Sequence, residues 1–333
     1  MEIFGYAVPF GDNIFVVVAL FILGLVFIIK GGDWFVDSAS WFAESTGIPK
    51  FIVGATVVSF ATTLPELLVS VRASVQNAND LAVGNAVGSV TANTALIMGI
   101  SLALLPGVIE RKSFAFKGGL FLLSGVGLTV LSLKGYLPRW SAFVLWAIFI
   151  VFMIDNIIEG KKGADADEKT IVNNKELPKQ IVFFILGTAG IIFGAEFLVG
   201  GGTEIAKQLG ISEKIIGFTI IAVGTSLPEL VTTLTAIRKK EASLSVGNIV
   251  GANIIDLTLI LPICSILNKN GSLPVAASSI RFDMPFCVAV SAIVVIPTIF
   301  QGKFKRWQGF VILAAYVGYL LFLVLNEAQV VTL

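Results

Sequence analysis

The sequence predicts an all-α membrane protein: ten transmembrane helices in two inverted five-helix repeats, with both termini outside. Three observations predict this: an apolar composition, a polar block that occurs twice, and the placement of lysine and arginine. Of the 333 residues, 56% are hydrophobic and only 14% charged, and the mean hydropathy is +0.92. Soluble domains do not have such a balance. Apolar runs of about 20 residues, enough for a helix to cross a hydrocarbon core of about 30 Å, recur from one end of the chain to the other.

The polar block reads GATVVSFATTLPELL from Gly54 to Leu68, followed by VGNAVGSVTAN from Val83 to Asn93. Its second copy reads GFTIIAVGTSLPELV from Gly217 to Val231, followed by VGNIVGANIID from Val246 to Asp256. One offset aligns both blocks without a gap, pairing Glu66 with Glu229, Asn85 with Asn248 and Asn93 with Asp256. Such duplication is common in transporters. Upstream, Gly31, Ala43 and Gly47 match Gly194, Ala206 and Gly210.

Hydropathy divides the first repeat, 1–158, into helices at 12–46, 49–77, 80–105, 117–134 and 138–157. The second repeat, 179–333, divides at 179–209, 212–238, 242–266, 282–301 and 307–326. The run from Asn13 to Ile29 has no basic residue before it and no small-residue cleavage site after it, so it reads as a mature membrane helix rather than a signal. Asp33, Asp37 and Glu44 make 32–47 too polar for a separate span, so this stretch continues one long tilted helix, matched by 194–209. The polar segment 159–178 is a cytoplasmic tether.

An odd number of spans per repeat sends the second copy in from the opposite side. With the N-terminus outside, the inner loops and their flanks hold most of the 23 basic residues, including Lys50, Arg111, Lys112, Lys117, Arg238, Lys239 and Lys240. This is the positive-inside pattern.

Charges within apolar spans cost about 2.5–3.5 kcal/mol on insertion scales and mark function by default. Glu66 and Glu229 lie in mid-span, each directly after a proline. Pro65 and Pro228 lack a backbone donor and open the helix, which frees carbonyls around Ser59 to Thr62 and Ala222 to Thr225. Irregular backbone at that depth must line a cavity or be buried in protein. Carboxylates, hydroxyls and carbonyls are hard oxygen ligands suited to Ca²⁺ and Na⁺, and two carboxylates neutralise one divalent ion.

Four residues after Ser89 and Ala252, on the same helix face, come Asn93 and Asp256. One is neutral and one ionisable, and the sequence offers Asp256 no cationic partner at similar depth. The Gly84, Gly88, Gly247 and Gly251 pairs read as close-packing positions. Asp33, Asp37, Glu196 and Glu204 read as solvated faces near helix ends, and Asp283 as an interfacial charge beside Arg281. Cys264 and Cys287 read as small buried hydrophobes. Histidine is absent, so proton chemistry would have to run on carboxylates.

Thr62-Thr63-Leu64-Pro65-Glu66 with Gly84-Asn85 to Asn93, and Thr225-Ser226-Leu227-Pro228-Glu229 with Gly247-Asn248 to Asp256, resemble the alpha repeats of the cation/calcium exchanger superfamily. The likeness is to prokaryotic sodium/calcium exchangers and covers nearly the whole chain. It implies a ten-helix fold with Ca²⁺ held by Glu66, Glu229 and the carbonyls of Thr62 and Thr225. It also implies Na⁺ around Thr63, Ser226, Ser89 and the carbonyls of Ser59 and Ala222, with Asn93 and Asp256 closing the centre. Helices one and six would slide across the rest to switch access. The chain departs from the family pattern at Ala61, where glycine is usual, and at Thr63 and Ala252, where serine is usual. Alanine at 252 removes one expected sodium ligand.

These features predict a multi-pass cell-membrane antiporter, working as a monomer, that exchanges Na⁺ for Ca²⁺ by alternating access. Both ions are transported cargo; no cofactor, enzyme activity or nucleic-acid partner is expected. The alternative is a Ca²⁺/H⁺ antiporter on the same glutamate pair. A gated channel fits the inverted repeats less well, and no nucleophile–base pair suggests an enzyme.

Overall fold

Asn13 accepts a hydrogen bond from the Phe15 N–H at 2.9 Å and starts α1, Ile14–Thr46, which ends at Gly47 with φ 68°. Its 33 residues span about 50 Å, well beyond a bilayer core, so the helix is long enough to cross at a tilt or to carry its polar end past the core. The computed structural model describes residues 2–3, 6–7, 13–106, 111–166, 175–210, 224, 226–269 and 271–327. After a short pair of strands, β1 (Glu2–Ile3) and β2 (Tyr6–Ala7), and α1 come α2 (Lys50–Thr62), α3 (Leu64–Val75), α4 (Asn79–Leu104), α5 (Arg111–Leu131), β3 (Tyr136–Pro138) and α6 (Ser141–Ala166). The second half holds α7 (Leu177–Gln208), α8 (Leu227–Arg238), α9 (Ala242–Leu267), β4 (Ser272–Pro274), α10 (Ser279–Gln301) and α11 (Arg306–Glu327). β3 and β4 pair antiparallel, Tyr136 opposite Pro274, and tie the two halves together.

Among the described residues eight helices are long and apolar enough to cross a membrane, and the bent pair α2–α3 makes a ninth span. The upstream part of the expected helix 212–238 lies outside the described residues, apart from Gly224 and Ser226; α8 is its downstream half. The undivided first helix is as expected, and its counterpart α7 is likewise continuous for 32 residues.

α1 and α7 run antiparallel along a glycine seam. A Cβ placed on Gly24 would come 2.9 Å from Gly194 O, and one on Gly31 would come 2.9 Å from Gly187 O. Gly24 and Gly187 occupy one repeat position, and Gly31 and Gly194 another. The repeat equivalents of one contacting pair are therefore the other contacting pair, the kind of reciprocity seen in two-fold contacts. Phe35 stacks on Phe184 beside the seam, with ring centroids 4.7 Å apart.

α4 and α9, which carry the second polar block, are the most enclosed spans, whereas few residues of the apolar stretches of α1 and α7 are buried. A side chain on Gly247 would collide with Phe51 O, and one on Gly251 with Ala55 O and Ser59 Oγ. The close-packing role expected for these two glycines therefore holds, against α2. Gly84 and Gly88 meet no described atom within 4 Å; the matching stretch of the second half lies outside the described residues.

Several charges sit differently from expectation. α5 begins at Arg111 rather than near 117, so Lys117 lies almost two turns inside it and is fully buried. Its Nζ meets Asp155 at 2.8 Å and Glu159 at 2.5 Å on α6. Asp33 and Asp37 are not simply solvated: α1 crosses the end of α8, so Asp33 pairs with Arg238 and Lys239, and Asp37 with Lys239 at 2.6 Å. Asp283 accepts a hydrogen bond from the Tyr319 hydroxyl at 2.8 Å. Cys264 and Cys287 are free and buried, as expected.

Lys117 yields a stability prediction. Lys117→Met leaves two carboxylates facing each other without their cation. It should cost about 2–3 kcal/mol, less than the 3–5 of a fully buried pair because both acids are partly exposed. A fall in the unfolding midpoint of the purified protein is expected; an unchanged midpoint would show that water alone satisfies the two acids.

Candidate functional site

Each half places its glutamate in the same local frame. Thr63 (φ −85°, ψ 1°) and Ser226 (φ −89°, ψ 9°) leave the helical conformation, and α3 and α8 restart immediately as Leu-Pro-Glu. Proline fits the first turn, where its missing N–H costs nothing, but it denies a donor to the carbonyl four residues upstream. The two segments around Thr63 meet at 46°.

Thr63-x-x-Glu66 and Ser226-x-x-Glu229 have the spacing of a capping box, in which the acid would bond back to the cap. Neither cap forms that bond. Instead the Thr63 hydroxyl donates to Ser59 O at 2.7 Å, and both glutamates are left with no hydrogen-bond partner among the described residues although fully buried.

Asp256 is in the same condition, both carboxylate oxygens buried and without a partner. The three acids lie within mutual electrostatic range, Glu66 feeling Glu229 and Asp256, and Asp256 feeling Glu229. No basic residue pairs with any of them among the described residues. No three acidic, histidine or cysteine side chains converge tightly enough to hold a metal by themselves among the described residues. A cation here must draw on fewer carboxylates and on neutral oxygens.

Those oxygens are present. Ser89 Oγ, Ser226 Oγ and the Asn93 amide are buried and lack partners among the described residues. Thr62 lies against the Glu229 carboxylate while its hydroxyl is within 3.3 Å of Ser59 O and 3.2 Å of Asn248 Oδ1. Thr62 thus bridges the halves. Ser59 O, expected to be freed by the break, accepts from the Thr63 N–H at 2.9 Å as well as from the Thr63 hydroxyl. Ala252 is buried and brings no hydroxyl. Thr225 and Ala222 lie outside the described residues.

Two features went unread in the sequence. α4 and α9 both switch to π-helical hydrogen bonding at matched positions, Ala92–Ile97 and Asp256–Ile260. The extra residue per turn re-aims Asn93 and Asp256, and π-turns of this kind concentrate at functional sites. The second feature is the asparagine pair. Asn248 Nδ2 donates to Thr232 Oγ1 at 3.1 Å while its backbone carbonyl is 2.8 Å from Ser59 Oγ. Asn85 Nδ2 reaches Ser70 Oγ at 2.9 Å and Glu66 O at 3.3 Å. Both asparagines lie in the duplicated block, so their pairing across the offset was the signal available.

A multi-pass helical bundle with buried, unpaired acids beside helix breaks defines a carrier of cations. A profile of the sodium/calcium exchanger protein family matches residues 16–157 and 179–325; the chain belongs to that family and is a cation/calcium antiporter. It is 34% identical to the sodium/calcium exchanger MaX1 of Methanosarcina acetivorans, covering 91% of this chain and 97% of that protein. It is 32% identical to the putative antiporter CaxA of Alkalimonas amylolytica, over 91% and 97% of the two chains. Among solved structures, the sodium-calcium exchanger NCX_Mj soaked with 10 mM Na⁺ and zero Ca²⁺ superposes with a TM-score of 0.81 at 32% identity, over 91% of this chain and 97% of that one.

Proposed function

We propose that this chain exchanges Na⁺ for Ca²⁺ across the membrane by alternating access, with Glu66 and Glu229 sharing one Ca²⁺. The reading includes ten spans in two inverted repeats, 1–158 and 179–333, joined by 159–178, with both termini outside. The antiparallel reciprocal seam of α1 and α7, the matched breaks at Thr63 and Ser226 and the matched π-turns support it.

The observation that carries the proposal is the set of buried carboxylates on Glu66, Glu229 and Asp256, none of them paired with a cationic side chain among the described residues. Ionised carboxylates at low dielectric need a counter-charge, and a transported cation supplies it. Ca²⁺ takes the two glutamates with carbonyls of Thr62 and Thr225. Na⁺ takes the same acids with the oxygens of Thr63, Ser226 and Ser89 and the carbonyls of Ser59 and Ala222. Thr63 can keep donating its hydroxyl hydrogen bond to Ser59 O and still offer its lone pairs to an ion. Asn93 and Asp256 close the centre. Because either load neutralises the same acids and an empty site leaves them bare, switching is favoured only when the site is loaded, and competition couples the two fluxes.

Calcium uptake into vesicles containing the purified chain tests the counter-ion. Uptake is expected with an outward Na⁺ gradient and not with an outward H⁺ gradient alone. Uptake driven by the proton gradient alone would assign the exchange to protons, and uptake needing neither would make the protein a channel.

A further inference from the structure

A cavity of about 770 Å³ opens where α2, α5 and α9 begin and α6 nears its end. Phe51, Phe114 and Phe304 form part of its apolar lining, and Lys112, Lys162 and Lys240 add basic side chains exposed to solvent. Two acids also line it, but both are already engaged. Glu159 holds the buried Lys117 at 2.5 Å, and Glu241 holds Lys50 at 2.7 Å. Lys112, Lys162 and Lys240 form no ion pair among the described residues.

An excess of positive charge repels Ca²⁺ and Na⁺ and concentrates anions, so this cavity is not a route for the transported ions. Lysine ammonium groups bind phosphate as point charges. A free phosphate would engage the lysines but leave the partly exposed apolar wall of Pro49, Phe51 and Leu105 uncovered. An amphiphile satisfies both, and basic pockets between transmembrane helix ends suit phospholipid headgroups. The volume is in the range of small-molecule sites.

We propose that the cavity binds an anionic glycerophospholipid, its phosphate among Lys112, Lys162 and Lys240 and its glycerol end against Phe51 and Leu105. The site is separate from Glu66 and Glu229 and does not depend on which ions are exchanged.

Native mass spectrometry of the full-length chain, equilibrated with phosphatidylglycerol and phosphatidylcholine, tests this. The wild type should retain phosphatidylglycerol in preference. Each of Lys112→Gln, Lys162→Gln and Lys240→Gln should weaken the preference about fivefold, and the triple variant should lose it. These lysines are exposed, so the unfolding midpoint should not change; the single variants carry the test if the triple variant does not fold. Equal retention of the two lipids by the wild type, or undiminished preference in the variants, would overturn the proposal. Inorganic phosphate bound by the wild type without any lipid preference would also overturn it, making the occupant a soluble anion.

Discussion

Glu66→Gln and Glu229→Gln are each expected to lower calcium uptake by at least about two orders of magnitude. Removing one of two charges that compensate a buried ion costs about 3–5 kcal/mol, a factor of about 150 to several thousand. The unfolding midpoint should move the other way. Each glutamate is fully buried without a partner among the described residues, and a neutral amide of the same shape removes part of the repulsion among three acids. Greater stability together with lost transport is the mark of a residue kept for function. Near-normal uptake by either variant would refute a shared site, and a lowered midpoint would point to a structural role for the carboxylate.

Gly251→Ala should have the second largest effect. Its new methyl would collide with Ala55 O and Ser59 Oγ, and a backbone carbonyl cannot rotate away. α2 must then retreat from α9, at about 1–3 kcal/mol, and α2 carries Ser59 and Thr62. The control is Gly127→Ala on α5, where a methyl meets no described atom within 4 Å. Calcium uptake per folded protein should fall sharply in the first variant and stay near wild type in the second. Equal uptake by the two would show that the α2–α9 distance does not matter for exchange.

Much of this architecture is legible in the sequence because bilayer physics allows few solutions. The run 12–46 holds no proline, and its polar end, 32–47, cannot span a bilayer by itself, so it reads as one helix despite Gly31 and Gly32; an acid after Thr-Leu-Pro in mid-span has to sit at a break. The depth of Lys117 was not legible: hydropathy started its helix six residues late because Arg111 and Lys112 look like loop, and only the acids on α6 show that the lysine turns inward. The π-turns at Asn93 and Asp256 were hidden because α- and π-helical stretches share a composition and differ by one residue in hydrogen-bond register. The contact between Thr62 and Asn248 is tertiary, joining side chains that no local pattern relates. The engaged Ser59 carbonyl shows the limit of arguing from proline alone: the carbonyl that Pro65 leaves without its helical donor is that of Ala61, four residues upstream, whereas Ser59 keeps the Thr63 N–H and gains the Thr63 hydroxyl.

The seam between α1 and α7 also constrains motion. Four glycines bring backbone directly against backbone, and the Phe27–Phe197 and Phe35–Phe184 ring pairs flank the contact, so the two helices hold together as one body. The two chains run in opposite directions, and each ends in a left-handed glycine, Gly47 at φ 68° and Gly210 at φ 78°. These turns lie at opposite ends of the pair. An axial stroke of the pair as one piston therefore pushes one turn toward the segment that follows it and draws the other away. The hinges cannot be compressed together. Under the alternating access proposed above, a reciprocating pair of this kind would open one end of the molecule only as it closed the other, without any signal passing between the two faces.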